Sequence, residues 1–199
     1  MVGTVFHLVR HASHDLVGRV LVGRGPVALS EAGQREAGMV SRALADAGLA
    51  AVFTSPQPRA RQTAALIAAR AGVAATVDPG LDELDFGAGT GLAFDALQDD
   101  PRWRAFNMFR GGAPIPGGET MLAVQARAVE TVLRLRDAHP NTALALVSHA
   151  DVLKAILAHF LGMPLDLIGR IELAPASRSV LTVFAADAVV HQVNQRVPV

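Results

Sequence analysis

Short apolar runs alternate along this chain with longer segments whose apolar positions recur every three to four residues. Residues 4–9, bounded by Gly3 and by Arg10-His11, read as a buried strand. Ser30 is the expected N-cap of a helix reaching Ala47, with Gly48 closing it. Residues 51–53 predict a second strand, and 58–71 a helix with Ala60, Ala64, Ile67 and Ala68 on one face and Gly72 at its end. A strand is expected at 74–77. The stretch 79–118 is rich in glycine and proline, with short helices and an apolar set that includes Phe86, Phe94, Trp103 and Phe106. A long amphipathic helix over 120–138 carries Met121, Val124, Ala128, Val132 and Leu135 on one stripe. A strand at 143–147, a helix at 151–161, and late strands at 171–173, 180–184 and 189–193 complete the pattern. The alternation predicts a three-layer α/β/α fold, a mostly parallel sheet with helices on both faces. Ligands of such sheets bind outside the C-terminal ends of strands.

A length of 199 residues suits a single domain spanning 1–199, with an insertion or lid at about 88–118. The 18 basic and 18 acidic residues cancel, which argues against a nucleic-acid partner held by a broad basic surface. The absence of cysteine excludes a disulfide framework and a thiolate nucleophile. The N-terminal apolar run is too short for a secretory signal. The most apolar region, 144–173, is broken by His149, Asp151, Lys154, His159, Asp166 and Arg170, so no membrane span and a cytoplasmic location are expected. Of the 18 basic residues all but Lys154 are arginine, an excess that reads as composition bias.

Two segments place reactive side chains directly after buried strands: Val9-Arg10-His11 and Val147-Ser148-His149. If those strands are neighbours, the two imidazoles converge. An imidazole nitrogen attacks phosphorus well and leaves readily again, so it can carry a phosphoryl group. Arg59, at the start of the helix after the second strand, adds a planar fork that matches phosphate. The backbone at the start of the helix after His149, beginning with Ala150, adds anion-binding N–H groups.

These residues lie in blocks that resemble the histidine phosphatase superfamily, also called phosphoglycerate mutase-like. Leu8-Val9-Arg10-His11-Ala12 is similar to its Arg-His-Gly signature, with alanine at the usual glycine. Leu29-Ser30-Glu31-Ala32-Gly33 resembles the start of its first helix, and Ser55-Pro56-Gln57-Pro58-Arg59-Ala60-Arg61-Gln62-Thr63-Ala64 its Ser-Pro-x-x-Arg-Ala-x-Gln-Thr-Ala block. Leu81-Asp82-Glu83, Pro116-Gly117-Gly118-Glu119-Thr120 and Val147-Ser148-His149 follow in order, so the blocks span 4–162. The resemblance implies a nucleophile at His11, a phosphate pocket completed by Arg10, Arg59 and His149, and a proton donor at Glu83, for which Asp82 and Asp85 are rivals. It implies a phosphorylated small-molecule substrate and no cofactor. Glu119 is expected either near the pocket or bracing an arginine, with a first-turn carboxylate that only suits the helix dipole as the alternative.

One position departs from the family. The asparagine that many members carry six residues after the nucleophile is Val17 here. His14, Asp15 or the backbone at Gly23-Arg24 is expected to substitute, which places His14 and Arg24 with Ala150 among the substrate contacts. The short 90–118 segment favours water as acceptor, hence a phosphatase; mutase-type transfer or a silent phospho-ligand-binding module are the alternatives. The spacing His7-x₃-His11-x₂-His14 also allows a metal-site reading, but no carboxylate cluster accompanies it and no metal is expected. In the insertion, Arg102, Arg104 and Arg110 read as a solvated lid around a core Trp103, with contact to an anionic or aromatic leaving group as the alternative. The last strands, from Val180 onward, form a candidate sheet edge for a homodimer.

Overall fold

The computed structural model describes residues 3–196. Its strands are β1 (Thr4–Arg10), β2 (Leu49–Thr54), β3 (Ala75–Val77), β4 (Ala143–Ser148), β5 (Arg178–Val183) and β6 (Ala188–Gln195). They form one sheet in the order β3-β2-β4-β1-β5-β6. β3, β2, β4 and β1 are parallel, and β5 and β6 continue the sheet antiparallel. β5 is therefore internal and β6 is the open edge.

The helices are α1 (Glu31–Ala43), α2 (Pro58–Ala71), α3 (Phe94–Gln98), α4 (Pro101–Met108), α5 (Met121–Ala138) and α6 (Ala150–Phe160). Phe6, Leu8, Leu144 and Leu146 pack with Val124 and Val132 of α5 and Val152 and Ile156 of α6. Val9, Val52, Ala145 and Val147 pack with Ala37 and Val40 of α1 and Ala64 and Ile67 of α2. Both faces of the central strands are covered, which is why those strands read as apolar runs and not as alternations. Among the described residues, no helix is long and apolar enough to cross a membrane.

Two expectations need correction. α1 ends at Ala43, with Leu44 as its cap, and the chain turns to Gly48 (φ 61°) instead of continuing helical to Ala47. Residues 171–173 are not a strand. Ile171 and Leu173 are buried, but the Leu173 carbonyl accepts from Arg10 Nη1 (2.6 Å) and Ala174 N donates to the Asn194 side chain (2.7 Å). Side chains thus take the backbone groups that a ladder would have used.

The parallel register pairs Arg10 with Ser148, so the residues that follow, His11 and His149, emerge at the same end of neighbouring strands. The loop after His11 is pinned by α1. Ser30 N donates to the Ser13 carbonyl (3.1 Å), and Glu36 accepts from Ser13 N (2.8 Å) and Ser13 Oγ (3.0 Å). A Cβ on Gly33 would lie 1.8 Å from that same Ser13 carbonyl oxygen. Gly33→Ala should therefore destabilise the fold by about 1–3 kcal/mol despite alanine's helix preference. At roughly 2–4 °C per kcal/mol for a chain of this size, a thermal melt should show a clear drop in Tm. An unchanged Tm would mean that the loop after His11 is not held as described.

Candidate active site

His11 sits just beyond β1, almost fully buried, with its backbone N donating to the Ser148 carbonyl (2.9 Å). Its Nδ1 lies 2.8 Å from the Ala12 carbonyl. A carbonyl only accepts, so Nδ1 carries the proton and Nε2 keeps its lone pair. Burial, with the Arg59 and Arg10 charges behind it, holds the His11 pKa well below the ordinary histidine value. The ring is therefore neutral, with its lone pair on Nε2, the atom that accepts from Arg59 Nε (3.3 Å) and that can act as a nucleophile. The Ala12 N–H is tied to Thr63 Oγ1 (3.1 Å), which donates to the Arg59 carbonyl (2.8 Å).

Arg59 is the largest fully buried side chain, 1% exposed. Proline at the first helical position of α2 starts the helix, and Arg59 follows in its first turn. Its guanidinium is fixed by the carbonyls of Gly23 (2.7 Å) and Gly25 (3.1 Å), and its Nε faces His11 Nε2 at 3.3 Å. Arg10 lines the same pocket. Its Nη1 is held by Leu173 O, while its buried Nε has no hydrogen-bond partner among the described residues.

His149 is the N-cap of α6, and its ring centre lies 5.0 Å from that of His11. Arg59 Nη2 reaches His149 Nδ1 (3.1 Å), and a guanidinium only donates, so the proton is on Nε2. That Nε2 donates to Ser55 Oγ (2.8 Å), and Ser55 Oγ donates to Asp82 Oδ1 (3.3 Å). Burial first, then its neighbours His11 and Arg59, keep His149 neutral.

Glu83 lies opposite. Its side chain is 13% exposed, with Oε2 3.3 Å from His149 Nδ1 and 3.7 Å from Arg59 Nη2. Burial, reinforced by the Asp151 charge, raises its pKa to about 7. The Glu83 carbonyl is clamped by Arg24 Nε (3.0 Å) and Arg127 Nη2 (3.1 Å), and Glu119 bridges these two arginines. Gly118 allows this packing, because a Cβ there would lie 2.3 Å from the Asp85 carbonyl.

Arg10, His11, His14, Arg59, Glu83 and Ala150 all line one pocket of about 140 Å³, and His149 sits beneath it against Arg59 and Glu83. Arg24 is not in the lining. Its guanidinium turns to Glu119, Asp82 and Asp85. Of the three acidic candidates only Glu83 lines the pocket. Asp82 accepts from Ser55, Gln57 and the Glu83 N–H, and Asp85 accepts from Gly87 N. Glu119 braces arginines. His14 stacks on His11 with ring centres 5.6 Å apart, and burial with the nearby arginines lowers its pKa to about 4. His7 lies in β1, and its buried Nδ1 has no hydrogen-bond partner among the described residues. No group of three or more His, Asp or Glu side chains that could hold a metal gathers among the described residues. Trp103 packs against Phe86, Phe94 and Phe106, while Arg102 and Arg104 point outward to Asp100 and Asp99.

Sequence reasoning missed Asp151, Ser55 and Arg127. Asp151 in the first turn of α6 looks like an ordinary helix-dipole carboxylate. Ser55 was visible only as part of a motif. Arg127 carried one signal, a charge three residues after Val124, next to the apolar stripe of α5.

A family model described as the histidine phosphatase superfamily (branch 1) matches residues 6–196. A bifunctional protein of Mycobacterium tuberculosis is 33% identical over 192 residues, covering 94% of this chain and 53% of that protein. The chain thus spans about half the length of this relative. A Yersinia pestis protein named as a probable phosphoglycerate mutase is 30% identical over 177 residues, covering 87% of this chain and 82% of the relative. Among solved structures, a mycobacterial glucosyl-3-phosphoglycerate phosphatase superposes with a TM-score of 0.87 at 25% identity, over 96% of this chain and 98% of that one.

Proposed function

The chain belongs to the histidine phosphatase superfamily, a group of phosphatase and mutase-type enzymes, and on that premise we propose that it is a metal-independent phosphatase that hydrolyses phosphate monoesters through a phosphohistidine on His11. The observation that carries this reading is the pairing of a neutral imidazole, its lone pair on Nε2, with a carboxyl group whose pKa is about 7 in the same pocket. In the first step His11 Nε2 attacks phosphorus, the N–P bond forms and the P–O bond to the alcohol breaks. Protonated Glu83 delivers its proton to the departing oxygen. Arg10, Arg59 and the N–H groups at the start of α6 face the charge on the transferring oxygens. In the second step Glu83, now a carboxylate, takes a proton from water as that water attacks phosphorus. The N–P bond breaks, and phosphate and a neutral His11 are restored.

Two guanidinium groups supply the positive charge that a metal would otherwise provide. Val17 offers no hydrogen bond to a second acceptor hydroxyl, which favours water. The direct test is turnover of p-nitrophenyl phosphate in excess EDTA. Undiminished release of inorganic phosphate is expected. Activity that a divalent ion must restore, or isomerisation of phosphoglycerate primed by a bisphosphorylated sugar acid in place of phosphate release, would overturn the reading.

Ser55 and Asp82 act through His149 as positioning residues, holding its proton on Nε2 and its Nδ1 lone pair toward Arg59 and Glu83. Ser55→Ala should lower kcat roughly tenfold with little change in KM, the worth of one buried orienting hydrogen bond. Ser55→Thr, which keeps the hydroxyl, should recover most of the loss. Equal loss in both variants would indicate a packing effect.

A further inference from the structure

Beyond the phosphate end, the pocket changes character. Val17, Val20, Leu21, Val22, Phe86 and Phe94 line it. This wall is built into the backbone. Leu21 N donates to Leu92 O (2.9 Å), Gly91 N to Leu21 O (2.8 Å) and Phe94 N to Arg19 O (3.0 Å), and Val20 bridges to Ala93. Behind it, Trp103 lies 6.1 Å from Phe86 and 6.4 Å from Phe94, ring centre to ring centre. The only arginines in the lining are Arg10 and Arg59, and no lysine is present. Besides the catalytic Glu83, the carboxylate in the lining is Asp151, already paired with Arg110 (3.1 Å), whose other nitrogen donates to Asn107 (2.7 Å).

We propose that the leaving alcohol is uncharged and apolar, an aromatic or branched hydrocarbon, and that this site disfavours phosphorylated carboxylic acids. The assignment rests on the phosphatase reading of the same pocket. A carboxylate on the leaving group would lose hydration against the apolar wall and meet the Asp151 carboxylate, with Arg110 already engaged by Asp151 and Asn107. A hydrocarbon ring or branch would cover Val17, Val20 and Phe94 and release their water.

The test compares benzyl phosphate, glycerol 1-phosphate and 3-phosphoglycerate, all esters of poorly leaving alcohols, so that leaving-group acidity does not set the order. The wild-type kcat/KM for benzyl phosphate should exceed that for 3-phosphoglycerate by about 100-fold, with glycerol 1-phosphate between them. Titration calorimetry on His11→Ala, which turns nothing over, should give the same order of Kd. Phe94→Ala should narrow the benzyl-to-glycerol ratio about tenfold. Val17→Asn should narrow it in the same direction, should Phe94→Ala fail to fold. Tight binding of benzyl phosphate by His11→Ala with no ester hydrolysed by the wild type would support the wall assignment and defeat the phosphatase reading. Equal or better binding and turnover of 3-phosphoglycerate would overturn the assignment while leaving the phosphatase reading intact.

Discussion

Replacing His11 with alanine is expected to lower kcat for every phosphate monoester by on the order of 10⁵-fold, as loss of a covalent nucleophile does when its partners are left to act on water alone. Arg10, Arg59 and the start of α6 remain, so phosphate should still bind. The fold should survive, because the His11 backbone is held on both sides, its N–H by the Ser148 carbonyl and its carbonyl by Ala176 N, and alanine keeps both; only the ring contacts to the Ala12 carbonyl and Arg59 Nε are lost. Steady-state kinetics with a parallel thermal melt would check both points. A loss below about tenfold in a folded variant would remove His11 from the nucleophile's role.

The second large effect belongs to Glu83. Glu83→Gln should lower kcat by about 10²–10⁴-fold for esters of alcohols, which need a proton on the departing oxygen. For p-nitrophenyl phosphate, whose leaving group departs as an anion, kcat/KM, which reports the first step, should fall far less, while kcat still drops because the second step needs Glu83 as base. The pH dependence follows from the direction of the shift. Burial and then Asp151 raise the Glu83 pKa from 4.5 to about 7, so the acid form required for the first step persists up to near-neutral pH. His11, with its pKa lowered, stays neutral across that range. For alcohol esters, kcat/KM should therefore fall with rising pH through about 7, approaching tenfold per pH unit. Removing a negative charge beside Glu83 eases its ionisation, so Asp151→Asn should move that descending limb to lower pH. In Glu83→Gln the limb should disappear. A limb that persists there belongs to another group.

The contrast between His11 and Arg24 shows how far the site was legible. Arg10 ends a buried strand, His11 and His149 follow buried strands, Arg59 opens a helix after a third, and a parallel sheet brings such ends together whatever the side chains do next. Placement there depends only on the backbone. Arg24 sits in a loop, and the direction of its long side chain is decided by Asp82 and Glu119, which arrive from distant segments. The same limit hid Arg127, which reaches Glu83 only because α5 crosses the turn at 80–85. Asp82 was recognised as a carboxylate near the site, but its task in orienting Ser55 depends on a hydrogen-bond network that spacing does not encode.

The fold divides similarly. Ser30 proved to be the N-cap of α1, its hydroxyl accepting from Gly33 N, because that motif is local. The apolar stripe of α5 is buried as its period requires. Residues 171–173 carried a strand-like pattern, and what prevents the ladder is nonlocal: Arg10 takes the Leu173 carbonyl, 163 residues away in sequence. Apolar spacing reports which face is buried, not which partner claims the backbone.

The covalent intermediate is the central claim, and trapping it is the most direct measurement. The enzyme would be mixed in excess with a ³²P-labelled monoester, quenched in alkali within the first turnover, digested and sequenced by mass spectrometry. The account predicts an acid-labile, alkali-stable phosphoryl group on the His11 peptide, formed and lost at rates that match turnover, and absent from His11→Ala. Turnover at the wild-type rate with no label on His11, or label on another residue at a competent rate, would contradict it.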